Sequence, residues 1–107
     1  MLEQIKMILL AHKGKKNRIT SGKVAEELEI FENATYAKTR SLIFECAKTY
    51  KLPLAADTKG YYLITNQIEY DDYIANLNSR IAGIEERKKI ITDNWEDWKN
   101  SEIHTEE

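Results

Sequence analysis

Residues 52–63 read LPLAADTKGYYL, and this stretch decides the predicted fold of the 107-residue chain. Tyr61 begins the most strand-like run in the sequence, and Asp57 and Gly60 are turn residues, so the stretch predicts a small β-hairpin. Pro53 stops the preceding helix, because the residue before a proline is pushed out of the α region. The hairpin therefore separates a group of short helices from the rest of the chain.

Two short helices are predicted at the start of the chain. The first covers residues 2–12, where apolar side chains recur on one helical face, and Gly14 is expected to end it in the left-handed conformation. Residues 18–20 are predicted to form a short strand or an extended lead-in. Thr20 or Ser21 then caps the second helix, because both side chains are good N-cap acceptors.

A third helix is predicted over residues 35–51. Its apolar positions repeat at helical spacing and form the predicted buried face: Leu42, Ile43, Cys46, Ala47 and Tyr50, extended upstream by Tyr36 and Thr39. Phe31 and Tyr36 are expected to pack in the core or in the preceding turn, and stacking on nucleobases is the alternative. Helices followed by a hairpin are the parts of a winged helix-turn-helix, although a small α+β domain with the same elements packed otherwise remains the alternative.

The last helix is predicted to begin with a capping box, with Asn66 as N-cap and Glu69 three residues later, and to run to about Lys99. Nine positions from residue 70 to residue 98 follow alternating steps of four and three, which is a heptad seam. Eight of the nine are apolar or aromatic: Tyr70, Ile74, Leu77, Ile81, Ile84, Ile91, Trp95 and Trp98. The seam predicts a homodimer with either strand direction, and intramolecular packing on the first helix is the alternative.

The predicted fold class is mainly α with a small β-hairpin. A winged helix-turn-helix head occupies residues 1–65, and a long, coiled-coil-like helix for dimerisation or partner binding occupies residues 66–99. Residues 100–107 are predicted to be a frayed acidic tail.

Three segments resemble small winged-helix proteins of bacteriophages and prophages. Residues 21–28 (SGKVAEEL) resemble the first helix of a helix-turn-helix, and residues 39–43 (TRSLI) resemble the middle of a recognition helix. Residues 52–63 are similar to the wing of that group, which often continues into a long helix rich in Tyr, Ile and Arg. The similarity covers residues 20–90 and implies a DNA-binding protein that regulates transcription.

The predicted helix-turn-helix departs from that group in the length of its turn. Ala25 and Thr39 are 14 residues apart, which is longer than a tight helix-turn-helix allows. The extra residues fall in 29–36, where base contacts would arise. The resemblance therefore supports the predicted fold more strongly than it supports the predicted DNA contacts.

Charge is distributed unequally along the chain: residues 1–60 have a net charge of +4 and residues 61–107 of −6. The basic half favours double-stranded DNA as partner, with residues 35–51 in the major groove and a wing at 54–62 near the backbone. The candidate DNA-binding residues are Thr35, Lys38, Thr39, Arg40, Ser41, Lys48 and Lys59. The alternatives are that these are ordinary solvated charges, or that the same fold is a protein-binding module, such as a phage-encoded inhibitor or adaptor of a host protein.

Catalysis, cofactors and metals are not expected from the sequence. The adjacent carboxylates of Asp71 and Asp72 point apart on a helix, and no phosphate loop or nucleophile motif occurs. Cys46 and the two histidines lack metal-ligand spacing. With no apolar run long enough for a membrane span and a single cysteine, the chain is expected to be cytoplasmic.

Overall fold

The computed structural model describes residues 1–33 and 35–101, which are mainly helical with one small antiparallel sheet. In chain order its elements are α1 (Leu2–Leu10), a 3₁₀ turn (Lys15–Asn17), α2 (Ser21–Glu27), α3 (Ala37–Tyr50), β1 (Leu54–Asp57), β2 (Gly60–Leu63) and α4 (Gln67–Lys99). This confirms the mainly α class, the hairpin and the long last helix. Of the predicted acidic tail, residues 102–107 lie outside the described residues.

The chain divides into two compact units, and the division falls between Asp71 and Asp72, within α4. The first unit, Met1–Asp71, is called the head below, and the second begins at Asp72. The first turn of α4 belongs with the head because Glu69 accepts hydrogen bonds from the backbone N–H groups of Lys15 and Thr65, each at 2.9 Å. This division is six residues later than the predicted end of the head at residue 65.

The core of the head joins α1, α2, α3 and β2. Its buried residues are Ile5, Leu9, Ile19, Val24, Ile43, Cys46 and Leu63. Burial of Ile43 and Cys46 confirms the predicted direction of the inner face of α3, with Leu42 and Tyr50 packed at its edge. The expectation for Phe31 is wrong, since its side chain is 96% exposed.

β2 is hydrogen bonded on both of its edges. β1 pairs with it in antiparallel register from Leu54–Leu63 to Asp57–Gly60. On the other edge, Ile19 exchanges two backbone hydrogen bonds with Tyr61, of 2.8 and 2.7 Å. The predicted short strand at residues 18–20 is therefore a single antiparallel bridge.

Gly60 is required by this close approach of backbones. Its φ of +135° lies in the region that L side chains rarely adopt. A Cβ atom there would lie 2.6 Å from the carbonyl oxygen of Ile19. Only a glycine therefore lets Ile19 pair with the hairpin.

Two of the predicted helix caps are present. The Thr20 hydroxyl accepts a hydrogen bond from the N–H of Lys23 at 3.1 Å, so the first of the two candidate residues caps α2. The Asn66 side-chain oxygen accepts from the N–H of Glu69 at 2.9 Å. Both caps were readable from sequence because they are local.

The predicted left-handed cap at Gly14 is wrong. α1 ends at Ala11 in a right-handed conformation, and Gly14 has φ +88° and ψ 148° ahead of the 3₁₀ turn. The Gly14 N–H donates to the carbonyl of Leu63 at 2.8 Å. The glycine thus serves the edge of β2, a partner distant in sequence.

Two glycine substitutions test the close approach at the hairpin. Gly60→Ala should destabilise the head by about 2 kcal/mol or more, because it combines backbone strain with a clash against Ile19. Gly83→Ala is the matched control, since its Cβ would meet nothing within 4 Å. It should stabilise α4 by about 0.5–1 kcal/mol, because alanine is the better helix former. Thermal unfolding followed by circular dichroism measures both, and equal effects would contradict the assigned role of Gly60.

Candidate nucleic-acid interface

The N-terminus of α3 is capped by a carboxylate from the preceding turn. The N-cap position itself is Tyr36, which has a left-handed φ of +50° and makes no side-chain cap. Glu32 accepts instead from the N–H of Lys38 at 2.9 Å, the N–H of Thr39 at 2.7 Å and the Thr39 hydroxyl. A negative group is favourable at this positive helix end. α3 therefore starts at Ala37, two residues later than predicted.

These hydrogen bonds lower the pKa of the Glu32 carboxyl below its ordinary value. The Thr39 hydroxyl contributes most, followed by the N–H groups of Lys38 and Thr39, and they outweigh partial desolvation. Each bond favours the charged form. The cap is therefore strongest when Glu32 is ionised.

Thr39 is not available to a ligand, and its place among the candidate DNA-binding residues is a wrong prediction. Its side chain is fully buried and is held by Glu32. Helical spacing puts it one turn before Ile43, on the inner face. Thr35 lies in the turn before α3, where its hydroxyl donates to the Asn33 side-chain oxygen at 2.6 Å. Thr35 is exposed but does not belong to the helix.

The outer face of α3 brings together most of the other candidates. Spacings of four, three and four residues place Ala37, Ser41, Phe44 and Lys48 on one exposed row. Three further exposed charges border this row: Lys38, Arg40 and Glu45. Ala37, Arg40, Ser41, Phe44 and Glu45 line an open hollow of about 570 Å³.

Sequence reasoning missed Phe44, whose side chain is 69% exposed at the centre of this face. The signal was present in the spacing. Ile43 and Cys46 define the inward direction, and Phe44 lies about 100° away from Ile43 around the helix axis. An apolar residue off the buried stripe of an amphipathic helix is a candidate contact.

Lys59 is exposed in the turn of the hairpin, and the neighbouring carboxylate is already engaged. Asp57 accepts the N–H of Lys59 and the Nε of Arg18, each at 2.9 Å. Burial raises the pKa of Asp57, but the hydrogen bonds from Arg18 and Lys59 outweigh it, so the net shift is downward. Arg18 therefore stabilises the hairpin.

A second exposed feature lies at the turn between α2 and α3. Its cleft of about 360 Å³ is lined by Gly22, Ala25, Glu26, Glu29, Ile30, Phe31, Glu32 and Tyr36. The Tyr36 ring packs on Gly22, where a Cβ atom would approach the ring carbons to 3.2 Å. The expectation that Tyr36 packs in the turn is thus confirmed, and the same turn leaves Phe31 exposed.

The heptad seam lies along α4, which is one unbroken helix of 33 residues. Leu77 is half-buried, and the remaining seam residues are exposed: Tyr70, Ile74, Ile81, Ile84, Ile91, Trp95 and Trp98. Ile90 is also exposed, but it lies off the seam.

In the part of the chain that the structure describes, no cluster of three His, Cys, Asp or Glu side chains could hold a metal ion. Cys46 is buried, and this burial raises the pKa of its thiol. Among the same residues, none of the helices combines the length and apolar character needed to span a membrane.

The chain shows no match to protein-family models, to curated proteins or to solved structures.

Glu32→Ala should lower the thermal stability of the head at pH 7, because the N-terminus of α3 and the buried Thr39 hydroxyl lose their acceptor. Glu27→Ala, an exposed change on α2, is the matched control and should alter the melting temperature little. Circular dichroism melts of both variants make the comparison. Equal loss in both would contradict the capping role.

The cap also predicts a pH dependence. Glu32, Asp57 and Glu69 all have lowered pKa values. The unfolded chain therefore takes up protons first, so their stabilisation is complete above the ordinary carboxyl pKa and is lost as pH falls below about 5. Glu32→Gln, which keeps an acceptor but does not titrate, should show a shallower acid loss. An unchanged profile would contradict this.

Proposed function

We propose that the chain is a dimeric, winged-helix DNA-binding protein that regulates transcription, of the bacteriophage or prophage type. The order of elements supports the winged-helix assignment: α1, the Ile19 bridge, α2, α3 and then the β1–β2 hairpin. In this arrangement α3 is the recognition helix, and the turn at Lys59 is the wing.

The outer face of α3 is the observation that carries DNA binding. Lys38, Arg40 and Lys48 are exposed cations for phosphate or base contacts. Between them lie small, hydroxyl and aromatic side chains, which suit the edges of bases. Glu45 fits such a surface as well, because a carboxylate accepts a hydrogen bond from the amino group of cytosine.

Three carboxylates of the head are held by intramolecular partners, while several of its cations are exposed. Glu32 is occupied by the start of α3, Asp57 by Arg18, and Glu69 by Lys15 and Thr65. These three carboxylates are fixed by intramolecular partners, whereas Lys38, Lys48 and Lys59 are exposed. Exposed cations are what a polyanion attracts.

A protein-binding module is the second candidate, and the cleft at the α2–α3 turn favours it. Phe31 is almost completely exposed, and Glu26 and Glu29 lie beside it. An aromatic side chain among carboxylates suits a basic protein surface better than DNA. Absence of salt-dependent DNA binding in the measurement below would favour this candidate.

A second copy of the chain is the partner proposed for the α4 seam. Isoleucines at 81, 84 and 91 and tryptophans at 95 and 98 form an apolar row, interrupted by Lys88, that a single helix leaves exposed. Arg80 and Glu85 occupy g and e positions, where opposite charges attract across a parallel pair, while Lys88 at a opposes that direction. A dimer would present two recognition helices to two half-sites.

Charge reversal on α3 tests DNA binding. Lys38→Glu and Arg40→Glu should each weaken affinity for duplex DNA by at least about tenfold, because they lose a phosphate or base contact. For the unaltered chain, log affinity should fall with log salt by about 0.9 per phosphate contact. Fluorescence anisotropy at two salt concentrations measures the affinities of the variants and the salt dependence of the unaltered chain. The DNA is a random duplex and a duplex from the region upstream of the gene.

Lys99→Glu makes the same charge change in the last turn of α4 and is the matched control. It should leave DNA affinity nearly unchanged. Equal weakening by Lys99→Glu and Arg40→Glu would show that net charge, and not α3, governs binding. Failure of the unaltered chain to bind DNA at low salt would overturn the proposed function.

Neighbouring isoleucines test the dimer. Ile91→Asp lies on the seam and should convert the dimer to a monomer, because it buries a carboxylate in the apolar interface. Ile90→Asp is off the seam and should leave the dimer intact. Size-exclusion chromatography with light scattering at tens of micromolar gives the masses. A monomeric unaltered chain, or equal effects of the two substitutions, would contradict the proposed seam.

A further inference from the structure

Phe44 has no part in the core and occupies the centre of the proposed DNA-reading face. Its side chain is 69% exposed, whereas its neighbour Ile43 is completely buried. Small side chains at Ala37 and Ser41 leave an open hollow beside the ring. The ring is therefore accessible to a partner.

Most of the groups around Phe44 suit a polyanion. Lys48 lies four residues after it, and Arg40 lies four residues before it, so both are neighbours on the helix surface. Glu45 is the acidic group on the same face. An aromatic ring bordered by two cations fits the major groove of DNA, where phosphates flank the bases.

Within the major groove, one base-pair edge offers an apolar group. Thymine presents its 5-methyl, while the other edges present hydrogen-bond donors and acceptors. Placing Phe44 against a polar edge would remove that edge from water with no hydrogen bond in return. Contact between the thymine methyl group and the ring removes apolar surface from water, which is favourable in free energy.

We propose that Phe44 selects a thymine through its 5-methyl group and that Arg40 selects a guanine beside it. This inference rests on the proposed DNA-binding function and deepens it. Arg40 and Phe44 are separated by about 6 Å along the helix axis, at about 1.5 Å per residue. Because stacked bases are about 3.4 Å apart, the guanine and the thymine lie within about two base pairs in each half-site.

The proposal is tested by selecting the DNA sequences that the chain binds and then removing one methyl group from the selected DNA. Duplexes bound by the full chain are first enriched from a random library and sequenced. The enriched thymine is then replaced by uracil, which removes the methyl group and keeps base pairing. The unaltered chain should lose about fourfold in affinity by fluorescence anisotropy, the factor expected for one buried methyl group.

Phe44→Ala should bind the thymine duplex more weakly and should no longer distinguish it from the uracil duplex. Phe31→Ala, which removes the other exposed phenyl ring, is the matched control and should keep the fourfold distinction. Circular dichroism melts establish that both variants fold. The uracil comparison with the unaltered chain stands by itself if Phe44→Ala binds too weakly to measure.

Two results would overturn the thymine reading while DNA binding stands. One is an unaltered chain that binds thymine and uracil duplexes equally, and the other is a Phe44→Ala variant that keeps the distinction. A library that yields no bound duplex at low salt would instead overturn the proposed function, and the thymine reading with it.

Discussion

The Glu32 carboxylate holds the start of α3, and the proposed interface depends on that contact. α3 begins after Tyr36, a bulky residue in the left-handed region, which supplies no cap of its own. Glu32 accepts hydrogen bonds from the N–H groups of Lys38 and Thr39, which have no partner within the helix, and from the buried Thr39 hydroxyl. The buried Thr39 lies on the same inner face of the helix as Ile43 and Cys46. Arg40, Ser41 and Phe44 consequently face outward.

A second constraint ties the hairpin to the helices. Ile19 pairs with Tyr61 through two backbone hydrogen bonds, and Gly60 permits this approach. The side chains of Arg18 and Asp57 form an ion pair between the same two segments. Glu69 then joins the start of α4 to Lys15. Charged side chains thus have two uses in the head, since some hold elements together and others lie exposed on α3 and the hairpin turn.

Much of the secondary structure was predictable, because its determinants are local. The caps at Thr20 and Asn66 act within three residues, and the heptad spacing needed only one helix. Pro53 and the turn residues located the hairpin. The candidate site was less predictable. Helical spacing identified Arg40 and Lys48 as exposed residues, but it did not identify Phe44. The sequence placed Thr39 both on the inner face and among the DNA-binding candidates, so its role was undecided.

The sequence by itself determined the mainly helical class, the hairpin and the apolar seam, since periodicity and capping are properties of neighbouring residues. Tertiary structure alone decided how α3 begins, because Glu32 accepts a hydrogen bond from Thr39 across seven residues. Tertiary structure also decided which contacts require a glycine. Gly14 and Gly60 serve contacts with Leu63 and Ile19, which are far away in the chain. Such pairings depend on where distant backbones meet, and no local pattern records that position.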